Sequence, residues 1–203
     1  MTLIRRLAPL AFALLTSFVL VAPASAHQPW FEDKDIKADA PWKIKDADVS
    51  TVVYATLESA SDVDYFSFAG KAGQSVYLAI TIPQIKGQDE FAPTMALLGP
   101  GLATANLPAR VQRSAGSGVL IIPPSPGPAS TFFEPFSRTS YWERQERRVT
   151  LPKDGQYVVA VWHPDGVAGR YGFVIGEKER LGGDLSFPIK MRKYWTPVPK
   201  PAP

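Results

Sequence analysis

Proline and glycine divide this chain so often that long helices have no room to form. The 203 residues include 20 prolines and 15 glycines, and between them we find no amphipathic helical pattern of 10 or more residues. Short segments rich in β-branched and aromatic residues lie between turns spaced about 8 to 12 residues apart. This pattern predicts an all-β protein, an antiparallel, jelly-roll-like β-sandwich of about eight strands.

The predicted strands are short and end at Gly, Pro, Ser or Asp. The segment around Asp64, for example, is rich in aromatic residues and lies between the turn-like clusters at residues 59–62 and 70–73. The eight predicted strands are Val49–Leu57, Val63–Ala69, Ser75–Ile82, Thr94–Leu98, Val119–Ile122, Arg147–Leu151, Tyr157–His163 and Tyr171–Gly176.

The first 26 residues have the features of a secretory signal peptide. Arg5 and Arg6 precede an apolar stretch from Leu7 to Val21, and Ala24-Ser25-Ala26 follows as a cleavage site. Cleavage after Ala26 would leave 177 of the 203 residues, enough for one domain with a hydrophobic core. We therefore expect a periplasmic or secreted protein whose mature chain has no membrane span.

Charge and cysteine content exclude several classes of function. Without the leader and its two arginines, 20 basic residues face 19 acidic residues, a balance that gives no electrostatic support for nucleic-acid binding. The chain has no cysteine, which excludes thiol chemistry and zinc–thiolate sites. The G-x-S-x-G motif of serine hydrolases is also absent, so we expect a non-catalytic protein.

The domain organisation follows from these segments. After the signal peptide (1–26), a β-sandwich domain is predicted over residues 27–186. It begins with an aromatic arm (27–48) that lacks helical or strand periodicity. Its proline-rich segment 123–142 is predicted to be a long loop that caps one end of the sandwich. Residues 187–203 form a basic, proline-rich tail that begins as a possible strand and ends in an extended polyproline conformation.

Two stretches resemble bacterial prepeptidase C-terminal domains and the related GOLD-like β-sandwich. The first is the D-x-D-x-F-x-F pattern from Asp62 to Phe68, followed by a glycine hairpin. The second is the P-x-x-G-x-Y pattern from Pro152 to Tyr157, followed by Gly169-Arg170-Tyr171. The resemblance implies an extracytoplasmic sandwich that binds a partner or supports neighbouring domains, and it implies no catalytic residue.

The aspartate pair of the first motif has two interpretations. Asp62 and Asp64 carry oxygen ligands of the kind that calcium prefers. Alternate residues of a strand point to the same face, and a polar pair at the start of a strand is often simply exposed to solvent.

The two histidines of the chain suggest a metal site. Cleavage after Ala26 would give His27 a free α-amino group beside its imidazole, and His163 lies at the end of a predicted strand. An amine and two imidazoles form a histidine brace, the three-nitrogen copper site of lytic polysaccharide monooxygenases and some periplasmic copper carriers, and these donors suit Cu(II). Alternatively, His163 belongs only to the turn formed with Pro164, Asp165 and Gly166.

Aromatic residues also cluster in the predicted capping loop. Such rings can form a platform for a sugar, peptide or lipid, or they can simply hold the loop in place. The candidate ligand-binding residues are Phe133, Glu134, Phe136, Tyr141 and Trp142.

The sequence thus supports two hypotheses about function. The first is an exported, non-catalytic binding module whose partner is a protein, a glycan or a small molecule. The second is a periplasmic copper-binding protein that uses His27 and His163.

Overall fold

The computed structural model describes residues 27–135 and 137–194, which form a β-sandwich. This confirms the predicted all-β fold. Eleven strands and one helix are present in this part of the chain: β1 Gln28–Phe31, β2 Trp42–Lys43, β3 Thr51–Leu57, β4 Asp64–Gly70, β5 Ser75–Pro83, β6 Thr94–Gly99, β7 Gly118–Ile122, β8 Ser130–Glu134, β9 Thr139–Thr150, β10 Gly155–Trp162, β11 Gly169–Ile175 and α1 Phe187–Tyr194.

The strands form two sheets with the main hydrophobic core between them. One sheet has the order β1-β3-β11-β5-β9-β8 and the other β2-β4-β10-β6-β7. Alternation along each strand directs one set of side chains inward. Phe66 of β4 and Phe173 of β11, both fully buried, stack across the core with ring centroids 4.3 Å apart. Aromatic contact between the sheets therefore holds the sandwich together.

The N-terminal arm contributes a strand to each sheet. β1 pairs with β3 and β2 pairs with β4, and both pairings are parallel, whereas the other strand pairs are antiparallel. The aromatic arm, whose sequence shows no strand periodicity, therefore contains two short strands. A strand of two or four residues at a sheet edge is too short to show a period in the sequence.

The segment from 123 to 142 is largely a β-hairpin rather than the predicted loop. β8 pairs with the first residues of β9, from Ser130 opposite Glu143 to Glu134 opposite Thr139. β9 itself begins at Thr139, eight residues before the strand predicted from Arg147. Four prolines of this segment precede β8 and the fifth, Pro135, directly follows it, so none interrupts the ladder of hydrogen bonds.

A helix replaces the strand expected at the start of the C-terminal tail. Helix α1 buries Phe187 and Met191, which are one helical turn apart, against Phe31 and Tyr54 on the outer face of the six-stranded sheet. Lys190 pairs with Asp33 at 2.8 Å and with Asp184 at 2.7 Å. Burial of the i, i+4 pair explains the helix. Residues 195–203 lie outside the described part of the chain.

The described ranges include no helix long and apolar enough to cross a membrane. The predicted signal peptide, residues 1–26, lies outside the described residues.

Candidate functional site

His27 lies at the start of β1, on the outer face of the six-stranded sheet. Its Nδ1 atom hydrogen-bonds the Ser50 hydroxyl. Burial lowers the pKa of the imidazole, and the charges of Glu134 and Glu179 oppose this shift only in part. The ring is therefore largely neutral at neutral pH and retains Nε2 as a second nitrogen.

His163 follows β10 and is held by the turn that it begins. Its ring stacks on Phe91, with centroids 5.4 Å apart and planes inclined by 15°. Nδ1 accepts hydrogen bonds from the backbone N–H groups of Asp165 and Val167, at 3.2 and 3.3 Å. Desolvation lowers the pKa of this imidazole as well. These contacts match the interpretation of His163 as a turn residue.

The structure does not bring the two histidines together. Gln28, next to His27, pairs with Thr51 at one end of β3. At the other end of β3, Leu57 pairs with Gly169, which lies against Phe91, the ring that stacks on His163. Thr51 and Leu57 are six residues apart, a span of about 20 Å in a strand. A brace needs its nitrogens about 2 Å from one metal ion, so these two residues cannot share one.

The aromatic candidates of segment 123–142 separate onto different faces. Tyr141 is buried on the outer face of the six-stranded sheet and stacks on Phe132. Trp142 packs against the main core, and Phe133 is 58% exposed. Glu134 accepts a hydrogen bond from the backbone N–H of Ser137. Phe136 lies outside the described residues.

A group of three carboxyl groups lies at the end of the sandwich where β1 ends and β4 begins. Glu32 and Asp35 belong to the N-terminal arm, and Asp64 is the first residue of β4. One oxygen from each of the three lies within 4.8 Å of the others. We call these three residues the acidic cluster.

Asp64 is the buried member of the acidic cluster. Because Asp64 alternates with Phe66 and Phe68, which point into the core, its carboxylate also points inward, and the residue is fully buried. Oδ2 accepts a hydrogen bond of 2.5 Å from the Tyr171 hydroxyl of the opposite sheet. Oδ1 has no hydrogen-bond partner, which is costly for a buried polar atom.

The carboxyl groups of Glu32 and Asp64 resist ionisation. Burial raises the pKa of Glu32 to about 7, although its carboxylate accepts hydrogen bonds from the backbone N–H groups of Thr56 and Ile36. Burial, followed by the charge of Glu32, also raises the pKa of Asp64. The Lys37 ammonium pairs with Asp35 at 2.9 Å on the exposed side. Ionising the buried carboxyl groups therefore calls for a compensating cation.

The sequence identified only one member of the acidic cluster. Asp64 belongs to the D-x-D pair considered for calcium, whereas its partner Asp62 instead accepts a hydrogen bond of 2.6 Å from the backbone N–H of Glu58. Glu32 and Asp35 were not among the candidates. The sequence marks these two residues only as part of a short acidic stretch that follows the aromatic start of the arm. No local feature of the sequence indicates that the arm lies beside β4.

Comparison with known proteins gives structural similarity at low sequence identity. No family model and no curated protein matches the chain. A periplasmic inhibitor of g-type lysozyme from Aeromonas hydrophila is 12% identical, with 74% of this chain and 98% of that chain covered and a TM-score of 0.39. The pre-peptidase C-terminal domain of a Bacillus anthracis collagenase is 12% identical, with 70% of this chain and 98% of that chain covered and a TM-score of 0.34.

A third similar structure is a surface-associated copper-binding protein of Methylomicrobium album. It is 10% identical, with 75% of this chain and 99% of that chain covered and a TM-score of 0.33. The family that the sequence motifs resemble is thus represented among the similar folds. At these identities the likeness concerns the fold only.

Proposed function

We propose that this chain is an exported, non-catalytic binding module that holds a calcium ion in its acidic cluster. The observation that supports this proposal best is the fully buried carboxylate of Asp64, whose Oδ1 atom lacks a hydrogen-bond partner and which lies beside the carboxyl groups of Glu32 and Asp35. A buried anionic oxygen of this kind is stabilised by a metal ion.

Calcium fits the chemistry and the spacing of the acidic cluster. Its ligands are oxygens at about 2.3–2.6 Å, so oxygens on opposite sides of the ion are roughly 4.6–5.2 Å apart. The three carboxyl oxygens of the acidic cluster all lie within 4.8 Å of one another, close enough to coordinate one such ion, and water would complete its coordination.

A bound ion would connect parts of the chain that are far apart in sequence. Glu32 and Asp35 belong to the arm, whereas Asp64 belongs to the five-stranded sheet and contacts Tyr171 of the six-stranded sheet. Calcium in the acidic cluster would therefore fix the arm on both sheets. Calcium sites of extracellular modules have Kd values of roughly 10⁻⁴–10⁻³ M. An exported module would meet calcium at concentrations that fill such a site.

Calcium is expected to stabilise the protein through Asp64. At a hundredfold excess over its Kd, a ligand adds about 2.7 kcal/mol to the free energy of unfolding, which corresponds to a rise in Tm of about 5–10 °C for a domain of this size. Asp64→Asn keeps an oxygen that can accept from Tyr171 but removes the charge. We expect it to lower calcium affinity at least tenfold in isothermal titration calorimetry.

Asp62→Asn is the matched control for this experiment. Asp62 lies two residues away and outside the acidic cluster, and asparagine retains an oxygen for the Glu58 N–H group. Far-UV circular dichroism checks that both variants fold. A calcium response of Asp64→Asn equal to that of the unchanged protein, or no heat of binding in either, would refute the calcium proposal.

Copper binding at His27 is a second candidate function. The observation that favours it is a half-buried imidazole whose pKa burial lowers, because a neutral imidazole nitrogen is a good ligand for Cu(II). Cleavage after Ala26 would add the α-amino nitrogen. His163 lies too far away to take part, so the site would use His27 with oxygen donors or water.

The copper hypothesis makes a residue-specific prediction. Mature protein that begins at His27 is expected to bind one Cu(II) with nitrogen coupling in its electron paramagnetic resonance spectrum. His27→Gln, or one extra residue before His27, should abolish this signal, whereas His163→Gln should leave it unchanged. Equal loss of the signal in both histidine variants, or no signal in the mature protein, would exclude a site at His27.

A further inference from the structure

The outer face of the six-stranded sheet carries a second pocket, whose wall includes no residue of the acidic cluster. Its cavity is about 150 Å³ in volume, and four aromatic side chains contribute to its wall: Tyr54, Tyr77, Phe132 and Tyr141. Tyr141 and Tyr54 are buried, and Phe132 stacks on Tyr141 with ring centroids 5.4 Å apart. A cavity of about this size accepts a benzene-sized group. We call it the outer-face pocket.

A β-bulge places two glutamates on the same side of this pocket. Thr81 pairs with Glu143 and Ile80 pairs with Gln145, so Arg144 is the extra residue of β9. Without the bulge, residues three apart in a strand point to opposite faces. With it, Glu143 and Glu146 both line the outer-face pocket. Gln145 between them also borders the pocket, but it is buried and its side-chain amide donates to the Pro93 and Ile122 carbonyls.

Hydrogen bonds orient three carboxylates at the rim of the outer-face pocket. Glu143 accepts from the Ser130 hydroxyl at 2.6 Å, and Glu146 accepts from the Tyr77 hydroxyl at 2.8 Å. Glu134, from β8, accepts from the backbone N–H of Ser137. His27 is the remaining titratable group of the rim apart from the tyrosines. Its imidazole is largely neutral, so the rim has a net negative charge.

The composition of the outer-face pocket selects for an organic cation. A small anion would be repelled by the three glutamates, and a neutral sugar would not balance their charge. Within the described ranges, the oxygens of these glutamates do not form a close three-ligand group like the acidic cluster, so the glutamates alone would not hold a bare metal ion. Aromatic rings surrounded by carboxylates suit an ammonium group, which is attracted to the face of each ring.

One contact already present shows that a ring of this pocket accommodates a cation. The Arg148 guanidinium lies over the Tyr77 ring, 4.9 Å from its centroid, and is held there by an ion pair with Glu177. This contact lies at the edge of the pocket, because Arg148 is not part of its wall. A ligand cation would make the same type of contact with the rings farther inside.

From this arrangement we infer that the outer-face pocket binds a small organic ammonium compound, with its cationic head against the aromatic wall and the glutamates as counter-charges. This site is independent of the calcium site in the acidic cluster. Choline is the probe of choice, since it carries one quaternary ammonium group on a short polar chain.

The experiment compares choline with its uncharged analogue 3,3-dimethylbutan-1-ol, which has the same shape. Isothermal titration calorimetry with calcium present throughout is expected to give a choline Kd in the millimolar range or below. We expect binding of the analogue to be at least tenfold weaker, because it lacks the charge that both the rings and the glutamates attract. Equal affinity for the two compounds would refute the inference, as would no choline binding at 20 mM.

Two adjacent phenylalanines provide a matched pair of variants. Phe132→Leu removes a wall ring but keeps an apolar side chain, and it should weaken choline binding at least fivefold. Phe133→Leu changes the neighbouring, exposed ring on the opposite face of β8 and should leave the affinity unchanged. Glu143→Gln should also weaken binding, whereas Asp64→Asn should not. If Phe132→Leu and Phe133→Leu bound choline equally well, the site would not be the outer-face pocket.

Discussion

Replacement of Phe173 by alanine is expected to lower the free energy of unfolding by about 3–5 kcal/mol, the cost of truncating a large buried aromatic side chain. Phe173 is completely buried on the inner face of β11, and its ring stacks on Phe66 of the opposite sheet with centroids 4.3 Å apart. Alanine would leave a cavity at the contact between the sheets. Urea denaturation at constant pH and saturating calcium measures the change directly.

Phe133→Ala is the control for this prediction. Phe133 is 58% exposed, and surface substitutions of this kind usually change stability by less than about 0.5 kcal/mol. A loss of less than 1.5 kcal/mol for Phe173→Ala would mean that the sheets repack around the cavity, and that the stacked pair does not have the structural role described above.

The metal-free protein is expected to lose stability as the pH rises from 5 to 8, because burial raises the pKa values of both Glu32 and Asp64. Burial raises the pKa of Glu32 from 4.5 to about 7. Between these values the folded protein holds a proton that the unfolded chain has released. The contribution of this Glu32 proton to the stability of the folded protein is therefore fully present below about pH 4.5 and is lost as the pH rises through 7. Because one pKa unit corresponds to about 1.4 kcal/mol, the whole effect of Glu32 is about 3.5 kcal/mol, of which about 2–3 kcal/mol is lost between pH 5 and pH 8.

Comparison with Glu32→Gln isolates this effect. Glutamine is neutral at every pH. Burial lowers the pKa values of both histidines, so their titration raises the stability of the folded protein as the pH rises. The histidines titrate alike in the variant and in the unchanged protein. In EDTA, the stability of the unchanged protein relative to the variant should fall by about 2–3 kcal/mol between pH 5 and pH 8, as measured by urea denaturation. Calcium should reduce this fall because it replaces the proton. A relative stability independent of pH in EDTA would contradict the prediction.

Much of the fold was predictable because each central strand carries its own local signal. All eight predicted strands correspond to strands of the structure, since β-branched and aromatic residues between turns mark them. The additional strands β1, β2 and β8 are short and lie at or next to the edges of their sheets. What defines them is a partner distant in the chain, and the sequence near them does not indicate that partner.

Helix α1 illustrates the same limit. Its eight residues include a proline and two basic residues in the last turn, a composition that also fits an extended tail. The helix is favoured because Phe187 and Met191 find an apolar surface made by β1 and β3. Tertiary packing decides between helix and strand for such a short segment.

The candidate sites were predictable only in part, for reasons of geometry. Asp64 was recognised from its motif, but its burial follows from its position on the inner face of β4, and its partners come from the arm. The predicted copper site shared by the two histidines is not formed, for the converse reason. Each residue has suitable chemistry, but the register of β1, β3 and β11 separates the two along the length of a strand.

The two ends of the described chain hold each other in place, and this has a consequence for how the protein opens. The Asp184 N–H group donates to the Pro29 carbonyl at 2.7 Å, and Phe187 packs on Phe31 with ring centroids 5.9 Å apart. Neither end can detach without uncovering the other. Protection from amide hydrogen exchange should therefore be lost at β1 and at α1 in a single cooperative event, while the interior strands stay closed.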